Sequence, residues 1–201
     1  MALNNQEALI CDFVGGPVGH RLRKGGGKEQ ALPKAIGLKS GANPFVVDST
    51  AGLGRDSFLL ASLGAHVTLI ERNEEMHQHL KLGLERAREE NDEYREIINR
   101  MTLLHGDAKD IIPTLNPDVI LVDPMHPERK KSALVKKEMR IIRDIVGTDS
   151  DAIELMEVAL KYATKRVVLK WPMKADFMEG LQKPSHQIMG KSTRYDVFIQ
   201  I

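Results

Sequence analysis

The sequence predicts an α/β protein built on an open, mostly parallel sheet with helices on both faces. Three observations predict it. Phe45-Val46-Val47-Asp48 is an apolar, β-branched run the length of a buried strand. It passes through the small residues Ser49, Thr50, Ala51, Gly52 and Gly54 into Asp56 and an apolar helix start, Phe58-Leu59-Leu60-Ala61. Short apolar runs and helical stretches then alternate along the chain, the pattern of βαβ units, and acids stand at the ends of three of the runs: Asp48, Glu71 and Asp123. Strand, glycine-rich turn and helix form the opening unit of a Rossmann-like nucleotide-binding fold. The glycines let the backbone approach a ligand and the helix N-terminus offers unpaired N–H groups. A tight turn with no ligand is the alternative reading of this stretch.

The 201 residues suffice for one domain with a sizeable core. The expected division is a basic, glycine-rich segment with a short helix over 1–44 and the α/β domain over 45–201. No apolar run reaches the length of a membrane span. The first residues lack the basic-then-apolar pattern of a signal peptide, and Cys11 is the only cysteine, so a cytoplasmic protein is expected. The histidines are scattered, with His77 and His79 on different sides of any helix, so no metal site is expected. The net charge of +1 is unevenly spread. From His20 to Lys39 six basic residues face one acid, and from Pro127 to Arg143 seven face two, whereas Glu71 to Asn99 is acidic. Two basic segments on a near-neutral chain point to a local anionic partner, against the plainer reading of solvated faces.

Phe13 to Gly27 carries six glycines among His20, Arg21, Arg23 and Lys24, with Lys28 just beyond. Glycines allow close backbone approach and the bases suit phosphates; a plain surface loop is the other reading. Glu29 to Leu38 has helical spacing, with Pro33 in its first turn. Phe58 to Leu63 is the first crossover helix, stopped by Gly64. His66 to Ile70 is the second strand. Glu71 follows it, 23 residues after Asp48, where such folds place the acid that accepts hydrogen bonds from ribose hydroxyls. Glu74 to about Asn99 reads as a charged helical stretch broken near Asn91. Met101 to Leu104 is the third strand, and Asp107 after it is a helix cap or a side chain within reach of an adenine.

Asp118 to Val122 is the fourth strand, followed by Asp123-Pro124-Met125-His126-Pro127. Open α/β sheets bind ligands beyond the carboxyl ends of their strands, and a carboxylate framed by two prolines is a rigid acceptor there. Ser132 to Val146 has an apolar face and a basic one, Lys136, Arg140 and Arg143, at helical spacing. Asp151 to Tyr162 is the next helix, Arg166 to Leu169 the fifth strand, and Tyr195 to Ile201 a final strand, expected antiparallel.

The Asp-Pro-x-x-Pro element resembles the Asp/Asn-Pro-Pro-aromatic element of methyltransferases that modify exocyclic amines of bases. The longer run D-P-M-H-P-E-R-K-K-S-A-L-V-K-K-E-M-R, with D-F-V-G-G and D-S-T-A-G-L-G-R-D, resembles the RsmJ type, the S-adenosylmethionine-dependent 16S rRNA guanine-N2 methyltransferases. The resemblance runs from Asp12 to the end. It implies a class I methyltransferase sheet of seven strands, S-adenosylmethionine as cofactor, and 16S rRNA or the small ribosomal subunit as partner. It implies that Arg55, Asp56, Glu71, Arg72, Asp107, Ala108 and Asp123 line the cofactor site, beside Asp48 and the loop glycines Gly52 and Gly54. Three features depart from the pattern: only eleven residues precede D-F-V-G-G, His126 stands where Phe or Tyr is usual, and Thr50 stands where the general methyltransferase loop has its first glycine.

The expected chemistry needs no protein nucleophile, because the cofactor's methyl group is itself electrophilic. The protein must align the guanine amine with that methyl, and Asp123 with the carbonyl of Pro124 would accept the amine N–H groups, with His126 stacking on the base. Arg21, Arg23, Lys24, Lys28, Lys136, Arg140 and Arg143 would grip flanking phosphates. Two other functions fit the same sheet: a nicotinamide-dependent oxidoreductase, which has no role for Asp123-Pro124, and a non-catalytic RNA-binding protein.

Overall fold

A computed structural model describes residues 11–15, 27–38, 41–125 and 151–200. The expected helix over Ser132 to Val146 lies outside the described residues. Seven strands form one sheet: β1 (Phe45–Asp48), β2 (His66–Glu71), β3 (Met101–His105), β4 (Val119–Val122), β5 (Arg166–Pro172), β6 (His186–Met189) and β7 (Thr193–Ile199). Their order is β3-β2-β1-β4-β5-β7-β6. The first five pair in parallel; β7 runs antiparallel to β5 and β6. The strand order reverses between β1 and β4, so their carboxyl ends frame the crevice expected of an open sheet.

The strands bury both faces, which is why β1 and β4 read as continuous apolar runs rather than alternating ones. Val46, Val67, Leu69, Leu121 and Val168 face one core. Val47, Ile70, Ile120, Val167 and Leu169 face the other. The first core is covered by α1 (Ala31–Ile36), α2 (Arg55–Ser62), α3 (Glu74–Glu90) and α4 (Asp92–Ile98); the second by α5 (Ala108–Ile111), a 3₁₀ turn at Ile112–Thr114, and α6 (Ala152–Tyr162).

Local chemistry sets the helix ends. Asn91 breaks the acidic helical stretch: its extended backbone ends α3, and its side chain accepts from the Tyr94 N–H to begin α4. Asn73 caps α3 in the same way through Met76. The helix α2 begins at Arg55, three residues earlier than its apolar run suggests, because Gly54 adopts a left-handed conformation (φ 66°) as its N-cap.

The described part of the 1–44 segment shares the first core. Phe13 stacks on Phe58 with ring centroids 5.0 Å apart, and Phe58 lies 5.8 Å from Tyr94. Cys11 backbone presses on α3 at Gly83, where an added Cβ would collide with the Cys11 carbonyl oxygen.

Three strands differ from expectation. β7 runs Thr193–Ile199, beginning two residues before the expected Tyr195. β5 continues past Leu169 to Pro172 because β7 pairs along its whole length, down to Pro172 against Thr193. β6 has no counterpart in the sequence reading: it is a mostly exposed four-residue edge strand with no apolar alternation. Among the described residues no helix is long and apolar enough to cross a membrane, and no group of three or more His, Cys, Asp or Glu is placed to hold a metal ion.

Candidate active site

The loop after β1 is stitched to both neighbouring strands. Ser49 donates to the Leu121 carbonyl through its N–H (3.0 Å) and its hydroxyl (2.8 Å). The Ala51 N–H bonds the Ile70 carbonyl (3.1 Å). The Gly52 N–H donates to Glu71 Oε2 (3.0 Å), and the Asn73 N–H donates to Oε1 (2.8 Å). Gly52 needs its positive φ of 50° to make that turn, and a side chain there would meet nothing closer than Thr50 O at 3.9 Å, so the loop borders open space. On the other flank the Asp123 N–H donates to Thr50 Oγ1 (2.7 Å). The Thr50 hydroxyl thus ties the β1 loop to the end of β4.

Beneath the loop lies Asp48, only 3% exposed. Its carboxylate accepts from the Ser57 hydroxyl and the Thr50 N–H. Burial pushes its pKa up to about 7; the Ser57 hydrogen bond works against this, while the charge of Asp56 adds to it.

Beyond the strand ends opens a cavity of about 300 Å³. Asp48, Gly52, Arg55, Asp56, Glu71, Arg72, Asp107, Ala108 and Asp123 line it, and so does Met125. The structure thus gathers residues that are 75 positions apart in the chain. Gly54 and Pro124 are not in the lining. Gly54 is packed into the core, where a Cβ would meet Leu80 at 2.7 Å, and Pro124 is buried. Lys28 precedes α1 and is not in the lining either. His126, Arg21, Arg23, Lys24, Lys136, Arg140 and Arg143 lie outside the described residues.

Among the lining residues that the sequence reading did not assign to the site, three come from elements it left out of the site altogether. Lys170, in the distal part of β5, places its Nζ 2.7 Å from Asp56 Oδ2 and 2.6 Å from Asp123 Oδ2. Burial opposes its charge, yet the Asp123 and Asp56 carboxylates outweigh that and hold the ammonium well above a lysine's usual pKa. Asp151 and Leu155 bring the start of α6 to the opposite wall. Arg72 Nη1 donates to both Asp151 oxygens (3.1 Å each), and Lys109 Nζ sits 2.8 Å from Asp151 and 2.9 Å from Glu154. The Lys109 hydrogen bond, then Arg72, hold the Asp151 carboxyl below its usual range against the effect of burial. Only the sequence position of Lys170 after an apolar strand hinted at its place; nothing local marked Asp151 or Leu155.

The donor set fits S-adenosylmethionine. Glu71 at the end of β2 has two carboxylate oxygens, each with a second lone pair, for a ribose diol. Ile70, Ala108 and Leu155 offer apolar surface for a base, beside the Asp107 cap of α5. Arg55 suits a carboxylate, and the acids around Asp123 suit an ammonium or sulfonium. The volume lies at the lower end of small-ligand pockets, which run from roughly 300 Å³ upwards.

Comparison with known proteins gives a consistent result. Residues 2–200 match the family model described as "Putative SAM-dependent methyltransferase". The chain is 62% identical over 193 residues to a ribosomal RNA small subunit methyltransferase J of Agrobacterium fabrum, covering 96% of this chain and 93% of that protein. It is 66% identical over 192 residues to the protein of the same name from Brucella anthropi, covering 96% and 94%. Against the Shewanella amazonensis protein of that name identity is 48%, over 96% of this chain and 78% of the relative. The crystal structure of a SAM-dependent methyltransferase from Neisseria gonorrhoeae superposes with a TM-score of 0.69 at 34% identity, covering 94% of this chain and 72% of that one.

Proposed function

We propose, for a chain that belongs to the ribosomal RNA small subunit methyltransferase J family of S-adenosylmethionine-dependent methyltransferases, that it methylates the exocyclic N2 amine of a guanine in 16S rRNA. The family assignment sets aside the nicotinamide-dependent reading of the sheet. One observation carries the proposal: Asp123, the carboxylate of an Asp-Pro element, stands at the cavity wall with its main chain pinned by Thr50 and its side chain pinned by Lys170. An acceptor fixed at both ends suits an amine whose two N–H groups must be oriented.

S-adenosylmethionine supplies an electrophilic methyl group on its sulfonium. The protein's task is alignment. The guanine N2 lone pair is delocalised into the ring, so the amine is a poor nucleophile. Hydrogen bonds from its N–H groups, one of them to Asp123 at the cavity wall, would draw the lone pair onto nitrogen and point it at the methyl. A proton leaves the nitrogen as the new bond forms, to Asp123 directly or through water. A base within an RNA helix must be splayed out first. The two basic segments, with Arg21, Arg23, Lys24 and Lys28 in one and Lys136, Arg140 and Arg143 in the other, would hold the flanking phosphates.

The test is transfer of labelled methyl to 16S rRNA, free or in small subunits, taken from cells lacking the protein, followed by mass mapping. N2-methylguanosine at a single position is expected. A methyl on another base or atom overturns the guanine-N2 assignment, and RNA binding without transfer favours the non-catalytic reading. Asp123→Asn should lower turnover roughly 100-fold, the scale of a lost proton acceptor, while calorimetric affinity for S-adenosylhomocysteine changes little.

A further inference from the structure

Lys170 takes no part in the reading of the site from sequence, yet two acids of the site, Asp56 and Asp123, converge on it, with Asp48 close behind them. Asp48 comes from β1, Asp56 from α2, and Asp123 from the end of β4. Lys170 comes from β5, with Tyr195 of β7 as its register partner. Its side chain is 22% exposed, and its Nζ bridges Asp56 and Asp123. We propose that Lys170 is the positioning residue of the methyl-transfer site, holding the Asp123 carboxylate oriented and charged as the acceptor for the substrate amine, with Asp56 as its second anchor. The role given to Asp123 rests on the function proposed above.

Two physical arguments support this. The first is orientation. A carboxylate on a strand end can rotate about its Cα–Cβ and Cβ–Cγ bonds. The Asp123 main chain is fixed through its N–H to Thr50 at 2.7 Å, and the Lys170 contact at 2.6 Å fixes Oδ2. The second is charge. Without Lys170, Asp56 and Asp123 would face one another, beside Asp48, with no opposite charge between them. Carboxylates sharing a site without a counter-charge cannot all ionise, and the one that keeps its proton accepts poorly. The charges of Asp56 and Asp123 already act on Asp48, adding to the larger effect of burial that raises its pKa to about 7. The neighbouring Tyr195 phenol is likewise raised, by burial first and by Asp56 next, so it stays neutral and supplies no charge of its own. A lysine reaching in from a different strand therefore keeps the acceptor both aimed and ionised.

The test compares Lys170→Gln, Lys170→Arg and Asp56→Asn in the full chain. Two readouts are followed against pH. One is kcat for RNA methylation. The other is the carbon-13 carboxyl signal of Asp123 in the free protein, assigned by its loss in Asp123→Asn. Lys170→Gln should move the acid limb of kcat and the Asp123 midpoint upward by about 1–3 pH units, the scale of losing an adjacent opposite charge. Its kcat at neutral pH should fall at least about tenfold, with KM for S-adenosylmethionine within about threefold. Lys170→Arg should return the limb to its wild-type position. Asp56→Asn should move both readouts the other way, because Lys170 is then left to Asp123 alone. An unmoved limb and midpoint in Lys170→Gln, or a rise in KM with kcat unchanged, overturns the proposal. If Lys170→Gln fails to bind S-adenosylhomocysteine, Asp56→Asn decides, and a midpoint that stays or rises overturns the proposal. A wild-type protein that transfers no methyl to RNA defeats the proposed function instead, and the carboxyl titration still tests the Lys170–Asp123 link.

Discussion

Replacing Glu71 by Gln separates ligand binding from loop anchoring. The side chain is 5% exposed, and its two oxygens accept from the Gly52 and Asn73 N–H groups. A glutamine keeps an oxygen toward one of them and turns an NH₂ group against the other, so one charged hydrogen bond becomes neutral and one becomes a donor–donor clash. A ribose diol donating to the same carboxylate would lose its charged acceptor as well. Hydrogen bonds to charged groups contribute about 1.5–3 kcal/mol, against about 1 for neutral ones. The expected loss in affinity for S-adenosylhomocysteine is therefore about 2–3 kcal/mol, or roughly 30- to 150-fold at tenfold per 1.4 kcal/mol. The loop would also loosen, and the melting temperature should fall by about 2–4 °C for each kcal/mol of stability lost. Calorimetry supplies the affinity. Repeating it with an analogue lacking the ribose hydroxyls isolates the diol: wild type should discriminate strongly between the two ligands and Glu71→Gln weakly. Equal discrimination by both proteins would refute the ribose assignment and leave Glu71 as a purely structural anchor.

Other consequences are simpler. Because Asp48 titrates at about 7 in the folded chain and near 3.9 when unfolded, the stability it confers is complete below about pH 4 and is lost as pH rises through 7. Asp48→Asn should thus gain on wild type across that window, by at most about 4 kcal/mol, and denaturant titrations showing a pH-independent difference would contradict this. Arg194 is buried against Asp196, at 3.0 and 3.2 Å, and also donates to the carbonyls of Pro172, Met173, Ala175 and Asp176. Arg194→Met should cost about 3–5 kcal/mol by leaving the Asp196 charge buried with only the Gln187 amide as donor, whereas a loss under 1 kcal/mol by chemical denaturation would show that the pair contributes little. Reversing charge at Lys136 and Arg140 should weaken RNA binding across sequences and lower the log–log salt slope by about one unit per lost phosphate contact. A slope equal to wild type would remove that segment from the RNA interface.

The parts of this protein legible in its sequence are those whose physics is local. The β1 strand, its glycine turn and Glu71 lie within 27 residues, and each element announces itself by an apolar run or by a residue that suits a turn or strand end. Asn91 was legible as a break because a cap acts on the next turn of its own chain. β6 was not legible, since a short exposed edge strand has no buried face to impose alternation. The tip of β5 was hidden for a different reason. Lys170-Trp171-Pro172 looks like a strand end, and it becomes strand because β7 returns antiparallel to pair with it. That pairing carries Lys170 to acids 114 and 47 residues away. The acids themselves were readable one at a time from their places after strands, but their charge balance belongs to the assembled sheet. Asp56 and Asp123 share one lysine, while Asp48 beneath them is bonded to Ser57 and Thr50 instead. A motif that places an Asp at a strand end therefore specifies where an acceptor stands, and the strand two hydrogen-bonded partners away from the glycine loop governs whether it is charged.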